Sequence, residues 1–248
     1  LRETFYKNGY LVIPGYLKNK NFDNICNNLD NKISNTLEKT NLKKIGGYKI
    51  GNLGLHSGKY ATAIWELMIQ NGIGELIKNI LNRPLSDFEI RVSGNISFPG
   101  KGEQDFHTDG KFEEKMYLIS LATEEINENN GPTEIIENCH AKIPYWKFFF
   151  KKKNKKTLVL SKGDLVLRKH SSWHRGTLNK SKKPRFLLSF LLLDKDSSIK
   201  NNFNDKDEII IFKNFFPSTK MGRLKESIYV NLKFIFLLYK FLRSFIRE

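Results

Sequence analysis

The stretch Gln104-Asp105-Phe106-His107-Thr108-Asp109-Gly110 holds the residues whose types and spacing are best suited to chemistry. His107 and Asp109 stand two positions apart, and alternate residues of an extended segment point to the same side. An imidazole and a carboxylate so spaced can grip one cation. Alone, a His-x-Asp pair is weak evidence, because it recurs by chance. His174, 65 positions after Asp109, is a source for a third ligand. Two histidines and one carboxylate on one face, with the opposite positions open, is the arrangement of a non-haem Fe(II) centre.

Such a site needs a rigid wall, and the texture of the chain changes where one is required. Residues 19–42 have helical spacing, with Phe22, Ile25, Cys26, Leu29, Ile33 and Leu37 recurring at three and four. Residues 61–81 repeat that spacing through Ile64, Leu67, Met68, Ile73, Leu76, Ile77 and Ile80, and Pro84 closes the element. Between them, residues 43–60 are Gly-rich and read as irregular, with His56 in a loop as a weak substrate-contact candidate. From about residue 87 short strands and turns take over: FEIRVSGNISF, KMYLISLAT, TEII, TLVLS, GDLVLRK, WHRGTLN and RFLLSFLLL. Short strands at close spacing predict a sandwich or barrel rather than βαβ units. The expected fold is mainly β with N-terminal helices: a jelly roll of eight strands, with a C-terminal helical tail. The expected organisation is one domain over residues 1–200, helical to 86 and β from 87 to 193, followed by a basic amphipathic tail over 201–248.

Composition narrows the setting. The chain has 248 residues, 40% of them hydrophobic, which suffices for a sizeable core. Cys26 and Cys139 do not make a disulfide framework and fit a reducing compartment. No signal peptide opens the sequence, so a cytoplasmic location is expected, and Leu1 in place of Met leaves room for a trimmed start. The net charge is +16. A basic balance of this size fits nucleic acid, an anionic membrane or an acidic substrate, but no nucleic-acid module is recognisable and nucleic acid is not an expected partner. The charge is concentrated in residues 142–169 and 220–248.

GYLVIPGYL near the start, HTD at 107–109, NGPTEIIENCH at 130–140, GDLVL at 163–167 and WHRGTLNKSKKPRFLLSF at 173–190 together resemble the phytanoyl-CoA dioxygenase family of Fe(II)/2-oxoglutarate-dependent oxygenases. The likeness runs in order from about residue 3 to residue 193. It implies a double-stranded β-helix (cupin-like) core, with iron on His107, Asp109 and His174, and 2-oxoglutarate and O2 as cosubstrates. It also implies an Arg eleven positions after the second His to hold the distal carboxylate of 2-oxoglutarate. Arg185 is at that position, and a guanidinium fork matches a carboxylate better than an ammonium does. Asn95, Ser120 and Thr133 are weaker cosubstrate candidates on neighbouring strands. Halogenating relatives replace the carboxylate by a small residue. Asp109 is present, so the resemblance implies hydroxylation or a related oxidation. One departure is ENCH at 137–140, which lacks the Gly-Ser that often precedes this His in the family.

Two regions stay open to opposite readings. In IPYWKFFFKKKNKK, Trp146, Phe148, Phe149 and Phe150 abut Lys151, Lys152, Lys153, Lys155 and Lys156. The segment reads either as a headgroup or anion interface or as a loop with its aromatics folded under. In the tail, residues 221–247 read as one helix with Lys233, Lys240, Ser244 and Arg247 on one face and a broad apolar face opposite. Its cations argue against spanning a bilayer. It either lies at an anionic inner-membrane surface or packs on the barrel or on a second subunit. The function class expected is a hydroxylase acting on a small-molecule, lipid or acyl-thioester substrate, and the basic surface points to one of anionic character; the competing class is a non-catalytic barrel docked on membrane or polyanion.

Overall fold

The computed structural model describes residues 1–100, 102–109, 116–140, 143, 154–195 and 208–244, apart from the side chains of Tyr239, Lys240, Arg243 and Ser244. Trp146, Phe148, Phe149, Phe150, Lys151, Lys152 and Lys153 lie outside the described residues, so the first of the two open readings above is not addressed by it.

Two antiparallel sheets face each other. The larger has seven strands in the order β1-β7-β4-β9-β3-β2-β10, and the smaller three, β6-β5-β8. The strands are β1 (Tyr10–Ile13), β2 (Asn52–Ser57), β3 (Phe88–Ser97), β4 (Met116–Leu121), β5 (Thr133–Ile136), β6 (Lys155–Leu158), β7 (Leu165–Lys169), β8 (His174–Gly176), β9 (Arg185–Asp194) and β10 (Ile209–Phe212). Ten strands rather than eight are therefore found among the described residues. The extra ones come from segments that carried no clear strand pattern. Residues 43–60, expected to be irregular, contain β2, every residue of which is buried. The segment expected to form only a helical tail supplies β10, which pairs with β2.

Alternation along the strands separates two environments. On β9, Phe190, Leu188 and Leu192 face a layer of helices, while Arg185, Leu187 and Ser189 face the barrel lumen. On β7, Leu165 and Leu167 face the helices and Val166 and Arg168 the lumen. The helix layer is built from α1 (Arg2–Asn8), α2 (Lys20–Lys39), α3 (Lys59–Gln70) and α4 (Ile73–Leu81). Asn19 caps α2, its side chain accepting from the Phe22 N–H at 2.8 Å, and Phe22, Cys26, Leu29 and Ile33 form its buried stripe. The helical pattern of residues 61–81 divides into α3 and α4 because Gly72 takes the left-handed conformation between them, at φ 80°. Buried aromatic residues such as Phe5 and Phe190 in this layer each contribute about 1.5–3 kcal/mol by burial.

The tail helix is likewise two helices, α5 (Lys220–Asn231) and α6 (Lys233–Ser244), broken at Leu232. Its inner face packs on the barrel: Glu226 is buried and accepts from the Ile50 N–H at 2.9 Å, Tyr229 is buried, and Lys233 pairs with Glu103 at 2.7 Å.

Candidate metal and cosubstrate site

Backbone pairing builds the site. His107 and His174 exchange backbone hydrogen bonds of 2.9 and 3.0 Å, and the Asp109 N–H donates to the His170 carbonyl. Gln104 reinforces this alignment, its side-chain Oε1 accepting from the Gly176 N–H at 2.6 Å. The segment 104–109 is thus laid along 170–176, and alternation brings His107 and Asp109 to the side on which His174 lies.

The side chains converge. Asp109 Oδ1 lies 3.8 Å from His107 Nε2 and 3.5 Å from His174 Nε2. One ligand atom from each of the three residues lies within 4.8 Å of the others. Donors about 2.0–2.2 Å from one ion and at right angles to each other stand about 3 Å apart, so a bound ion would draw these atoms somewhat closer together. The protonation states agree. His107 Nδ1 sits 2.8 Å from the Asp105 carbonyl, a contact that assigns the proton to Nδ1 and leaves Nε2 a free lone pair. Burial lowers the pKa of both histidines, His174 to about 3 with Arg168 as the second cause, so both rings are neutral. Burial alone would raise the Asp109 pKa, but the charge and hydrogen bond of Arg168 hold it well below the usual carboxylate range. Two neutral imidazoles and an ionised carboxylate fit Fe(II).

Arg168 is a residue that the sequence reading missed. Its Nη2 donates to Asp109 Oδ2 at 2.5 Å, leaving Oδ1 as the oxygen that faces the two Nε2 atoms. Its Nη1 lies 3.0 Å from His174 Nδ1, which is also 3.0 Å from the Ser172 carbonyl. With His174 Nε2 free for a metal, Nδ1 carries the proton and Ser172 is its acceptor. The available signal was alternation with Val166; the charge instead made Arg168 read as part of the basic stretch 142–169.

Arg185 is the largest fully buried side chain among the described residues, 1% exposed. Its Nη1 donates to Asn95 Oδ1 at 3.0 Å and its Nη2 to the Gly131 carbonyl, while its Nε has no partner. Among the described residues no carboxylate forms an ion pair with it. Burial lowers its pKa to about 10, with the nearby Glu124 carboxylate acting in the opposite direction, so it remains a cation at neutral pH. An unpaired buried cation facing the lumen fits a dicarboxylate cosubstrate. Asn95, Ser120 and Thr133 line the same cavity as Asp109, His174 and Arg185, and Ser120 Oγ lies 2.9 Å from Ser189 Oγ. All seven candidate residues are therefore brought to one region. His56 and His140 are not. His56 is buried on β2, with Nδ1 accepting from the Gly58 N–H, and the His140 carbonyl accepts from Ser171 Oγ.

The tail completes the cavity. Phe212, Asn214 and Phe215 line it, and the Phe215 ring stands edge-on to His107 at 4.7 Å. Gly54 is required opposite, because a Cβ there would lie 2.2 Å from the Phe212 ring.

Comparison with known proteins agrees with this architecture. A family model described as phytanoyl-CoA dioxygenase (PhyH) matches residues 5–187. No curated protein matches the chain significantly. Among solved structures, AviO1 from Streptomyces viridochromogenes Tue57 is similar with a TM-score of 0.59 at 12% identity, over 80% of this chain and 96% of its own. EvdO2 from Micromonospora carbonacea var. aurantiaca, complexed with 2-oxoglutarate, gives 0.59 at 10% identity, over 81% and 92%. The epimerase SnoN, in complex with Fe3+, alpha ketoglutarate and nogalamycin RO, gives 0.59 at 12%, over 84% and 93%. At these identities the likeness is one of fold.

Proposed function

The chain belongs to the phytanoyl-CoA dioxygenase family, and from that premise we propose that it hydroxylates a C–H bond of a small-molecule substrate of lipid-like or acyl-thioester type. The family makes it an Fe(II)- and 2-oxoglutarate-dependent enzyme. In this reading His107, Asp109 and His174 hold the iron, and Arg185 anchors the distal carboxylate of 2-oxoglutarate, with Asn95, Ser120 and Thr133 lining the cosubstrate's wall. The bound iron and cosubstrate supply the oxidation: substrate C–H, O2 and 2-oxoglutarate give C–OH, succinate and CO2.

The protein's part is orientation and exclusion of water. His107 and His174 stay neutral through burial and present their Nε2 lone pairs. Arg168 engages one oxygen of Asp109 and turns the other inward. Leu118, Ile126, Leu160, Val166, Leu187 and Phe212 make much of the remaining cavity wall apolar, which favours a substrate with hydrocarbon surface.

The observation that carries this reading is the convergence of His107, Asp109 and His174 in the same cavity region as the unpaired Arg185 cation. The test is succinate release with Fe(II), 2-oxoglutarate and candidate substrates. The product should gain one oxygen by mass spectrometry and should not form when ascorbate and Fe(II) are replaced by a chelator. Turnover of 2-oxoglutarate with a product that gains no oxygen would replace hydroxylation by another oxidation. Succinate release unchanged in His107→Ala and His174→Ala would remove the ligand assignment.

A further inference from the structure

The inner face of α5 and α6 is accounted for by the barrel, but the outer face is apolar as well. Met221, Leu224, Ile228, Leu232, Ile235, Leu238 and Leu242 recur at spacings of three and four, and each is between 43% and 60% exposed. Phe234 beside them is 78% exposed. A row of this length on the solvent side of a folded chain marks an interaction surface. Its charge setting comes from two parts of the chain. Lys220 and Lys225 are exposed on α5 itself. The loop carrying exposed Lys43, Lys44 and Lys49 is held against the start of α5. The Gly46 N–H donates to Ser218 Oγ at 3.1 Å, the Ile50 N–H to Glu226, and Arg223 Nη1 lies 3.5 Å from the Lys44 carbonyl. Glu226 is the sole acidic residue between positions 209 and 244, and it is buried. Lys233 is turned inward to Glu103 and is not part of this surface.

We propose that this face docks on an anionic lipid bilayer, with the aliphatic row at the acyl boundary and the lysines at the headgroups. A second copy of the chain fits it poorly. A two-fold contact sets a surface against itself, and here that would bring lysines against lysines with no exposed acid from α5 or α6 between them. Crossing the bilayer is not required: no helix among the described residues is long and apolar enough to span a membrane. Docking would set the α5 end of the cavity wall, five residues after Phe215, at the lipid surface.

The test uses the full chain and vesicles of phosphatidylglycerol with phosphatidylcholine, against vesicles of phosphatidylcholine alone. Co-sedimentation is expected with the anionic vesicles only, and falls as salt is raised. Lys43→Gln, Lys44→Gln and Lys225→Gln together should weaken it about a hundredfold. Leu224→Gln, Ile228→Gln and Ile235→Gln together should abolish it, while the melting temperature stays near that of the wild type because these side chains are already exposed. Equal binding to both vesicle types, binding to neither, or unchanged binding by both variants would overturn the proposal. So would a stable dimer that the Gln substitutions in the row dissociate, since the occupant would then be a second copy.

Discussion

Two guanidinium groups enter the same lumen and differ in what they meet. Arg168, on β7, is held by a carboxylate: its Nη2 lies against Asp109 Oδ2. Arg185, on β9, is the more deeply buried, yet its hydrogen bonds go only to an amide and a carbonyl, and its Nε has no partner. A buried charge with no carboxylate in ion-pair contact is costly, and Glu124 acts on Arg185 only from beyond ion-pair distance. The difference separates two roles in one cavity. The paired arginine holds a group of the protein in place; the unpaired one is set to receive a group that the protein does not contain.

Substitution should separate these roles, and the largest effect belongs to Arg185. Arg185→Ala should weaken apparent 2-oxoglutarate affinity by about 2–5 kcal/mol, with Fe(II) affinity nearly unchanged, as read by titrating each under anaerobic conditions. Arg185→Lys should recover part of the loss, since it keeps the charge but loses the fork. An equal loss of both affinities would erase the distinction between the arginines.

Arg168→Met should act on the metal instead. Freed from Nη2, the Asp109 carboxylate loses its orientation, and Fe(II) affinity should fall about 10–100-fold. The 2-oxoglutarate requirement at saturating iron should hold steady. A variant that binds iron as the wild type does would make the Arg168–Asp109 pair a bystander.

Thermal stability of the protein without cofactors gives a third contrast. Arg168→Met strips Asp109 of its partner and should cost about 1–3 kcal/mol. Arg185→Met removes an unpaired buried cation along with two hydrogen bonds, and the terms should offset to within about 1 kcal/mol of zero. Adding 2-oxoglutarate and Fe(II) should raise the wild-type melting temperature and leave Arg185→Met well behind. If Arg185→Met proves the less stable of the two before any ligand is added, the cation is serving the fold. The smallest effect expected is that of Asn95→Ala. It removes one acceptor from Arg185 and should change 2-oxoglutarate affinity by about 1 kcal/mol.

The two arginines also mark how far the sequence could be read. Arg185 was legible because a resemblance fixed its distance from His174. His107 and Asp109 were legible as a pair because a period-two segment must turn them to one side, and His174 because the resemblance assigned it as the third ligand. The β character after residue 87 followed from strand-length apolar runs. Arg168 was hidden by its neighbours: in a stretch rich in lysine its charge looked solvated, although the Val166–Arg168 alternation directs it inward. β2 was hidden by Gly51, Asn52 and Gly54, which look like loop residues; Gly54 is there because the Phe212 ring occupies the space of its Cβ. β10 was hidden for a related reason. IIIF at 209–212 is a short run without alternation, and its partner β2 lies about 150 positions earlier, a pairing that local pattern does not encode. With β10 went the part of the cavity lining formed by Phe212, Asn214 and Phe215.

The central claim is that the three ligands and Arg185 serve one iron–cosubstrate assembly. Its most direct test is anaerobic titration of 2-oxoglutarate into the Fe(II)-loaded protein, followed by visible absorption. The account predicts a weak charge-transfer band that saturates with 2-oxoglutarate, is absent in His174→Ala, and needs much higher 2-oxoglutarate in Arg185→Ala. A wild-type protein that binds Fe(II) and 2-oxoglutarate but shows no band would contradict it, as would a band that saturates identically in Arg185→Ala.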